Sequence, residues 1–344
     1  MSPLESKNIL RFKGIVGTGG IGSGKFFVIN GDHTLGREES RSGHFNYIKD
    51  YCKQHIILHY IAVLLGEKFS VVPVGLVGDD DIGETLLEEM NAVGMVLEHV
   101  GKQQGLSTLF SFCFSYPDGS GGNLTTDNSA SANVDERLIS NATGYIRRFG
   151  SNGIVLAAPE VPMKARQKLL ELGRSNQSFC AAAFTSEEIV DAGAAGMLNN
   201  TDLIAINWDE AKALIAGSSE DKGTTIESVI AELRKYNQNI MISVTAGIDG
   251  SWCWDGAGLQ HCNVFPTTVA SSAGAGDAFF AGLICGLAVG LTLHQSQWLA
   301  SLVASFSVTS KDTIHWGLDR VSLATFAKTS KGKLPSELLS LLKL

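Results

Sequence analysis

The stretch Ser271-Ser-Ala-Gly-Ala-Gly-Asp-Ala-Phe-Phe-Ala-Gly282 decides how this sequence is interpreted. Its small residues Gly274, Ala275 and Gly276 precede an aspartate, and the apolar segment that follows predicts a long helix. A helix start offers free backbone N–H groups and a positive dipole end, and glycines let an anion such as a phosphoryl group approach closely. Asp277 is then either the general base for a hydroxyl that attacks the phosphorus or an ordinary helix cap.

Two upstream segments carry related signals. Asn207-Trp-Asp-Glu210 ends a predicted strand and opens a helix, and Thr245-Ala-Gly-Ile-Asp-Gly250 follows the next strand along the chain. The carboxyl ends of parallel strands meet at one edge of a sheet, so we expect both segments to lie near the Gly274 loop. A carboxylate that holds magnesium through water, a glycine turn near nucleotide phosphates and an anion hole beside a base make a phosphoryl-transfer site.

Apolar β-prone runs alternate with helical periodicity along the chain, which predicts an α/β fold. Most of the runs are continuously apolar, as in buried parallel strands, so we expect a doubly wound, mostly parallel central sheet flanked by helices. The predicted strands are Arg11–Val16, Ser70–Val77, Gly153–Ala157, Gln177–Ala183, Asp202–Ile206 and Asn239–Val244. The predicted helices are Tyr47–Leu65, Asp81–Val93, Asp135–Phe149, Pro162–Leu172, Trp208–Ala216, Thr225–Tyr236, Ala275–Val289 and Leu293–Val308.

Two segments, Lys25–Gly43 and Ser107–Thr126, break this alternation with Gly, Asn, Asp and Ser between short β-prone pieces. They predict a small β-sheet lid over the carboxyl edge of the large sheet, where open α/β folds bind ligands. The segment Ser251–Phe265 is expected to be a hairpin at the edge of the large sheet. We therefore predict a single α/β domain over residues 1–344.

A third glycine-rich segment, Gly19-Gly-Ile-Gly-Ser-Gly24-Lys25, has the spacing of a phosphate-binding P-loop. Such a loop ends in Ser or Thr and runs into a helix, whereas Phe26 stands in that place and the following residues are β-prone. The pattern favours a flexible loop on the substrate side. A P-loop nucleotide-binding protein that uses Lys25 is the less favoured alternative.

The composition excludes several classes of protein. The chain has 344 residues, of which 44% are hydrophobic, enough for a large buried core. Its 35 acidic and 27 basic residues give a net charge of -8, which argues against a nucleic-acid partner. No apolar run approaches membrane-spanning length and Met1–Leu10 is not built like a signal peptide, so we expect a cytoplasmic protein without a membrane partner. The six cysteines form no C-x-x-C pair, which argues against a disulfide framework or a structural zinc site.

Together these motifs resemble the ribokinase-like (PfkB) family of carbohydrate and nucleoside kinases, from about Val16 to about Thr309. The resemblance implies transfer of the γ-phosphoryl group of ATP, with Mg²⁺, to a hydroxyl of a small sugar or sugar-like substrate. The roles that it implies are the base for Asp277, stabilisation of the phosphoryl group for the amides of Gly274, Ala275 and Gly276, magnesium for Glu210 with Asn207, and contacts with the nucleotide for Thr245, Gly247 and Gly250, with Ser301 and Ser305 beside the adenine.

The sequence departs from the family pattern mainly on the substrate side. The family usually carries a hydroxyl-binding aspartate near the first strand, and Gly17–Ser23 contains none. The usual di-glycine and asparagine correspond to Arg41-Ser-Gly43-His-Phe-Asn46, and Glu160 matches a glutamate that contacts substrate in some members. Ser271 replaces an aspartate found in many members, which leaves activation by a monovalent cation open.

Several alternatives stay open at this stage. An idle relative that binds a sugar or nucleotide and regulates a partner is the second hypothesis, although the intact Gly274–Asp277 loop favours a kinase. The acceptor could be a neutral sugar, a sugar acid, a sugar phosphate or a nucleoside. An arginine such as Arg41 facing the pocket would favour an anionic acceptor, whereas a solvated charged turn would not. A homodimer formed through the lid is a further hypothesis.

Overall fold

We describe a computed structural model of the chain, over residues 10–32, 34–118, 120–215, 221–329 and 334–342. The strands are β1 Gly14–Thr18, β2 Gly22–Ile29, β3 Gly43–Tyr51, β4 Ser70–Gly78, β5 Val100–Gln103, β6 Leu109–Ser115, β7 Gly121–Thr125, β8 Gly153–Ala157, β9 Phe179–Ala182, β10 Leu203–Asn207, β11 Met241–Thr245, β12 Ser251–Trp254 and β13 Leu259–Cys262. The helices are α1 Lys53–Leu65, α2 Asp81–Ala92, α3 Glu136–Asn141, α4 Thr143–Phe149, α5 Met163–Ser175, α6 Ile189–Ala194, α7 Trp208–Ala213, α8 Lys222–Leu233, α9 Ala275–Ala288, α10 Leu293–Ser307, α11 Arg320–Thr329 and α12 Ser336–Leu342.

The large sheet has nine strands in the order β13-β12-β11-β10-β9-β8-β1-β4-β5. All neighbours are parallel except β11–β12 and β12–β13, which form the expected antiparallel hairpin at one edge. Successive residues of a strand point to opposite faces, so Ile15 joins one apolar core, with α1, α9 and α10, and Val16 joins another, with α3 to α8. The predicted doubly wound α/β fold is confirmed.

The order in which strands are added to the large sheet reverses between β1 and β8. From β1 the chain proceeds to β4 and β5 on one side, and it then returns through β8 to β13 on the other. Ligands of open α/β sheets bind at the carboxyl ends of the strands beside such a switch point. Glu160, three residues beyond β8, lies there.

The smaller sheet has four strands in the order β3-β2-β6-β7 and includes much of both predicted lid segments. β2 is antiparallel to β3 and parallel to β6, which in turn is antiparallel to β7. We call this sheet the lid. Residues 33 and 119 of the predicted lid segments lie outside the described residues.

Two expectations beside the lid are wrong. The predicted helix Tyr47–Leu65 begins at Lys53 instead, and residues 47–51 belong to β3. The helix lacks a side-chain cap, because Cys52 precedes it, and pairing with β2 draws the residues before it into the sheet. The expected flexible glycine loop is strand in its second half, since Gly22–Lys25 belong to β2. A Cβ at Gly24 would contact the carboxylate of Asp50, so a larger residue there would displace that side chain.

The remaining differences are small. The predicted helix Asp135–Phe149 is two short helices, α3 and α4, and the short strand β5 was not expected. Ala216, the predicted end of α7, lies outside the described residues. Among those residues, none of the helices combines the length and apolar character needed to cross a membrane.

Candidate active site

Two cavities lie along the carboxyl ends of the large sheet, and six of the fifteen predicted site residues line them. The first, which we call the lid cavity, has a volume of about 470 Å³, within the range of small-ligand sites. Its lining comes from the lid, the start of α1, the loop after β8 and the start of α9, and includes Ser23, Phe26, Asp50, Lys53, Cys113, Asn123, Glu160, Gly274, Asp277 and Thr313. The second, which we call the α7 cavity, has about 450 Å³ and is lined by Asn207, Trp208, Asp209, Lys222, Thr245, Ala246, Gly247, Ile248 and Asp249.

The Gly274 loop opens the apolar helix α9. Gly274 has φ 76°, in the left-handed region, and a Cβ there would lie 2.6 Å from the carbonyl oxygen of Thr313. Any other residue would therefore be both strained and blocked. Ala275 and Gly276 are the first two residues of α9, so their amides belong to the helix N-terminus, which favours an anion.

Asp277 is the third residue of α9 and lines the lid cavity. It is not the cap of α9, since Gly274 occupies that position and Asp277 makes no capping hydrogen bond. Burial raises the pKa of Asp277, the positive charge of Lys53 lowers it, and Asp50 raises it further. A half-buried carboxylate at a helix N-terminus, beside an ammonium group, is suited to accept a proton from a bound hydroxyl.

Glu210 and Asn207 form a capping box at the start of α7. The Asn207 side chain accepts hydrogen bonds from the amides of Asp209 and Glu210, both at 2.9 Å, and Glu210 Oε2 accepts one from the Asn207 amide at 2.8 Å. These bonds fix the orientation of Glu210. The other oxygen, Glu210 Oε1, lies 3.9 Å from Lys53 Nζ. Burial raises the pKa of Glu210, and Lys53 lowers it.

These residues fit a magnesium ion held together with substrate. Mg²⁺ in such sites takes one or two carboxylates and completes its shell with water and phosphate oxygens. Glu210 Oε1 accepts no hydrogen bond from any described residue, so its lone pairs are available to an ion or to the water around it. Within the described part of the chain, no three His, Cys, Asp or Glu side chains converge as an all-protein metal site would require.

The glycine turn after β11 lines the α7 cavity in part. Thr245 is the register partner of Asn207 on the neighbouring strand, so the two predicted motifs lie side by side. Thr245 and Gly247 line the cavity, whereas Gly250 does not, and it leads the chain into β12.

Ser301 and Ser305 lie on α10, buried and away from both cavities. The Ser301 hydroxyl donates to the carbonyl of Asn263 at 3.0 Å, and the Ser305 hydroxyl accepts from the amide of Phe265 at 3.1 Å. Their hydroxyls tie the segment after β13 to α10.

Glu160 is held in an unusual backbone conformation at the switch point. Its φ of 75° lies in the left-handed region, which among the described residues only Gln177 shares outside glycine. Such strain clusters at functional sites. Glu160 Oε2 accepts a hydrogen bond from the amide of Lys53 at 3.2 Å. Burial raises the pKa of Glu160 to about 7, against the lowering effect of Lys53.

The other predicted substrate residues do not line the lid cavity. Arg41 lies before β3 and pairs with Glu39 at 2.6 Å, Gly43 begins β3, and Asn46 pairs with Phe26 across the lid. The far end of β3 and the start of α1 supply Asp50 and Lys53 instead. Sequence reasoning missed both, because it placed them inside one long helix. Asn46, a preferred helix-capping residue directly before Tyr47, favoured that interpretation, and no capping residue marks the real start at Lys53, which follows Cys52.

The arrangement brings a candidate base, a glycine-containing helix start, the oriented carboxylate of Glu210 and a lysine close together. The sequence profile described as pfkB family carbohydrate kinase matches residues 57–319. The chain belongs to the pfkB family of carbohydrate kinases. This confirms the resemblance and places the protein among enzymes that phosphorylate carbohydrates.

Individual relatives of this pfkB family member match to different extents. Fructoselysine 6-kinase of Shigella flexneri is 46% identical over 56 residues, 16% of this chain. The chain thus spans about a fifth of that relative, 22% of its length. The 5-dehydro-2-deoxygluconokinase of Lacticaseibacillus casei is 27% identical over 258 residues, 71% of this chain and 76% of the relative.

Solved structures share the fold of this pfkB family member. The ribokinase of Arabidopsis thaliana, solved as a complex with ribose and ATP, superposes with a TM-score of 0.75, over 92% of this chain and 99% of that one. Their sequences are 19% identical, so the likeness shows the fold alone.

Proposed function

We propose that this protein transfers the γ-phosphoryl group of ATP to a hydroxyl of a neutral, sugar-like acceptor bound in the lid cavity. The observation that carries the proposal is the joint placement of Asp277 and the Gly274 loop on the floor between lid and sheet. A general base beside a helix start that can bind an anion assists phosphoryl transfer, whereas a protein that only binds its ligand has no need of such a base. An idle regulatory relative is therefore the weaker candidate.

The nucleotide side of the proposal rests on α7 and the turn after β11. Glu210, oriented by Asn207, would hold Mg²⁺ or its waters, and the ion would neutralise charge on the phosphate oxygens. Thr245 and Gly247 would contact the nucleotide. Asp277 would take the proton of the acceptor hydroxyl, and the amides at the start of α9 would stabilise the phosphoryl oxygens.

The acceptor side favours a neutral molecule over an anion. Asp50, Glu160 and Asp277 line the lid cavity, and Lys53 is the one basic residue among its lining residues. Arg41, the candidate for an anion contact, is paired with Glu39 outside the cavity. Carboxylates accept hydrogen bonds from sugar hydroxyls and repel carboxylate or phosphate groups.

ADP formation across a panel of neutral sugars, sugar acids, sugar phosphates and nucleosides, with ATP and Mg²⁺, tests this function. We expect turnover with a neutral polyol or sugar and little with its phosphorylated or carboxylate analogue. Saturable ATP binding without ADP formation on any acceptor would favour an idle binding protein. Repeating the panel with added K⁺ tests the monovalent-cation question that Ser271 raises.

We further propose a homodimer formed through the outer face of the lid. The rings of Phe27, Phe45 and Phe112 pack together there with centroids 5.1 to 6.2 Å apart, and Phe45 remains half exposed. Leu124 and Tyr47 on the same small sheet are also exposed. Light scattering that reports a monomer at micromolar concentration would exclude this assembly.

A further inference from the structure

Lys53 joins the two halves of the active site. It is the first residue of α1, directly after the lid strand β3 and Cys52. Its amide donates to Glu160 on the acceptor side, and its ammonium group lies 3.9 Å from Glu210 Oε1 on the nucleotide side. The side chain therefore runs from the lid cavity toward the position proposed for the phosphates.

The surroundings of Lys53 are acidic. Asp277 and Glu160 line the same cavity as Lys53, and Glu210 lies 3.9 Å from its ammonium group. Lysines next to a phosphoryl-transfer centre act as point charges on phosphate oxygens. The other lysine near the crevice, Lys222, is already engaged by Asp249 and lies over the ring of Trp208.

The donors of Lys53 are also available. A separation of 3.9 Å from Glu210 is longer than a hydrogen bond, and no other described residue accepts one from this ammonium group. The three N–H donors of this ammonium group therefore lie among carboxylates without a hydrogen-bond acceptor among the described residues. A purely structural ion pair would be expected to close to hydrogen-bond distance, as Lys49 does with Glu89 at 2.9 Å.

We propose that Lys53 is a catalytic residue that donates hydrogen bonds to the transferring phosphoryl group, an inference that rests on the proposed kinase function. In the transfer, the acceptor oxygen forms a bond to the γ-phosphorus as the bond to the β–γ bridging oxygen breaks. The electron pair of the broken bond leaves with ADP, and the hydroxyl proton passes to Asp277. Lys53 keeps its three protons and balances the charge on the phosphoryl oxygens.

A structural role and a catalytic role predict different results. A lysine that only neutralises Glu210 and Asp277 would affect stability and binding of ADP and metal. A lysine that contacts the phosphoryl group acts more strongly in the transition state than in the ground state, so it affects kcat more than KM. Complexes of ADP with aluminium fluoride mimic the transferring group and report that difference without turnover.

The experiment compares Lys53→Met and Lys53→Arg with the wild type and with Lys49→Met, an exposed lysine of β3 outside both cavities. We expect Lys53→Met to lower kcat by about 10²–10³-fold, as loss of one transition-state donor does, with the KM for ATP changed little. Calorimetry should show that it loses the extra affinity for ADP with aluminium fluoride over ADP alone. Lys53→Arg should recover part of both, and Lys49→Met should match the wild type.

Two results would overturn the inference. One is a Lys53→Met protein whose kcat stays within about threefold of the wild type, which is below any transition-state donor's effect. The other is an equal loss of affinity for ADP with and without aluminium fluoride, which indicates a structural role. If Lys53→Met does not fold, Lys53→Arg decides between the two roles: partial retention of the extra affinity for ADP with aluminium fluoride supports the inference, and an equal loss of affinity with and without aluminium fluoride overturns it. A wild type that transfers to no acceptor yet gains affinity from aluminium fluoride through Lys53 would count against the proposed function and would leave only the contact of Lys53 with the phosphoryl mimic.

Discussion

The proposed nucleotide half and the proposed acceptor half of the crevice are built in different ways. The nucleotide half consists of Asn207 and Thr245, register partners on adjacent strands, and of the turns that follow them. The acceptor half gathers the end of β3, the loop after β8 and the lid strands β6 and β7, which lie far apart along the chain. Short segments with local capping and turn residues form the nucleotide half, whereas packing between distant parts of the chain forms the acceptor half.

On the proposed function, the nucleotide half supplies the phosphoryl-transfer chemistry and the acceptor half supplies the substrate specificity. Backbone amides at a helix start and a carboxylate in a capping box serve any phosphoryl transfer, whatever the acceptor is. The side chains of Asp50 and Glu160 touch the space in which the acceptor would lie, and Lys53 extends from that space toward Glu210. Substitutions in the two halves should therefore divide between loss of turnover or metal and loss of acceptor affinity.

The strongest test of the division is Asp277→Asn, which removes the proposed base at the junction of the halves. We expect phosphoryl transfer to fall by about 10²–10⁴-fold, the usual contribution of a general base. Nucleotide affinity measured by calorimetry should be nearly unchanged, because the amides of Gly274 to Gly276 remain. Asp191→Asn, an exposed aspartate in α6, is the control, and a loss below about tenfold at Asp277 would reduce this residue to a structural role.

On the acceptor side, Asp50→Asn should raise the acceptor KM by about 10- to 150-fold, since hydrogen bonds to charged groups contribute about 1.5–3 kcal/mol. The KM for ATP should not change. Arg41→Ala is the matched comparison from the same strand region and should leave both constants unchanged, because Arg41 pairs with Glu39 away from the cavity. Steady-state kinetics that show the reverse pattern would place the acceptor near Arg41 and favour an anionic substrate.

On the nucleotide side, Glu210→Gln keeps a residue that can complete the capping box and removes the charge. We expect the Mg²⁺ concentration needed for half-maximal rate to rise by about 10- to 100-fold, as for other residues that hold a metal through its waters. The acceptor KM should stay constant. An unchanged dependence on Mg²⁺, with thermal unfolding like that of the wild type, would contradict the assignment of Glu210.

The smallest effect concerns stability at Glu160. Because burial raises its pKa to about 7 from the ordinary 4.5, the folded protein binds more protons than the unfolded chain between these values. The contribution of Glu160 to stability is therefore present at low pH and is lost as pH rises through that window, by at most about 1.4 kcal/mol per pH unit. Urea unfolding from pH 5 to 8 should show a flatter pH dependence for Glu160→Gln, and parallel curves would exclude the shift.

The sequence was most informative where local rules determine the structure. The strand β8 at Gly153–Ala157 and the start of α9 at Ala275 agree with prediction, because apolar runs and a glycine before a helix act over a few residues. Tyr47 and Asp50 were misplaced because α1 is buried on nearly all sides and has no capping residue, so nothing in its periodicity marks where the helix begins.

The same reasoning explains the substrate side. Asp50 reaches the lid cavity through the pairing of β3 with β2, and Lys53 through packing of α1 against the large sheet. Such contacts join residues distant in sequence and leave no short motif. Glu160 was found through the resemblance, whereas its left-handed backbone could be seen only in the structure.

The central claim is transfer to a hydroxyl, and the most direct test is phosphorus NMR of a complete reaction with wild-type protein, ATP, Mg²⁺ and the best acceptor of the panel. We predict a phosphomonoester resonance on the acceptor that grows in equal amount with ADP and is absent with Asp277→Asn. Inorganic phosphate in place of the phosphomonoester, or unchanged ATP with every acceptor, would contradict the account.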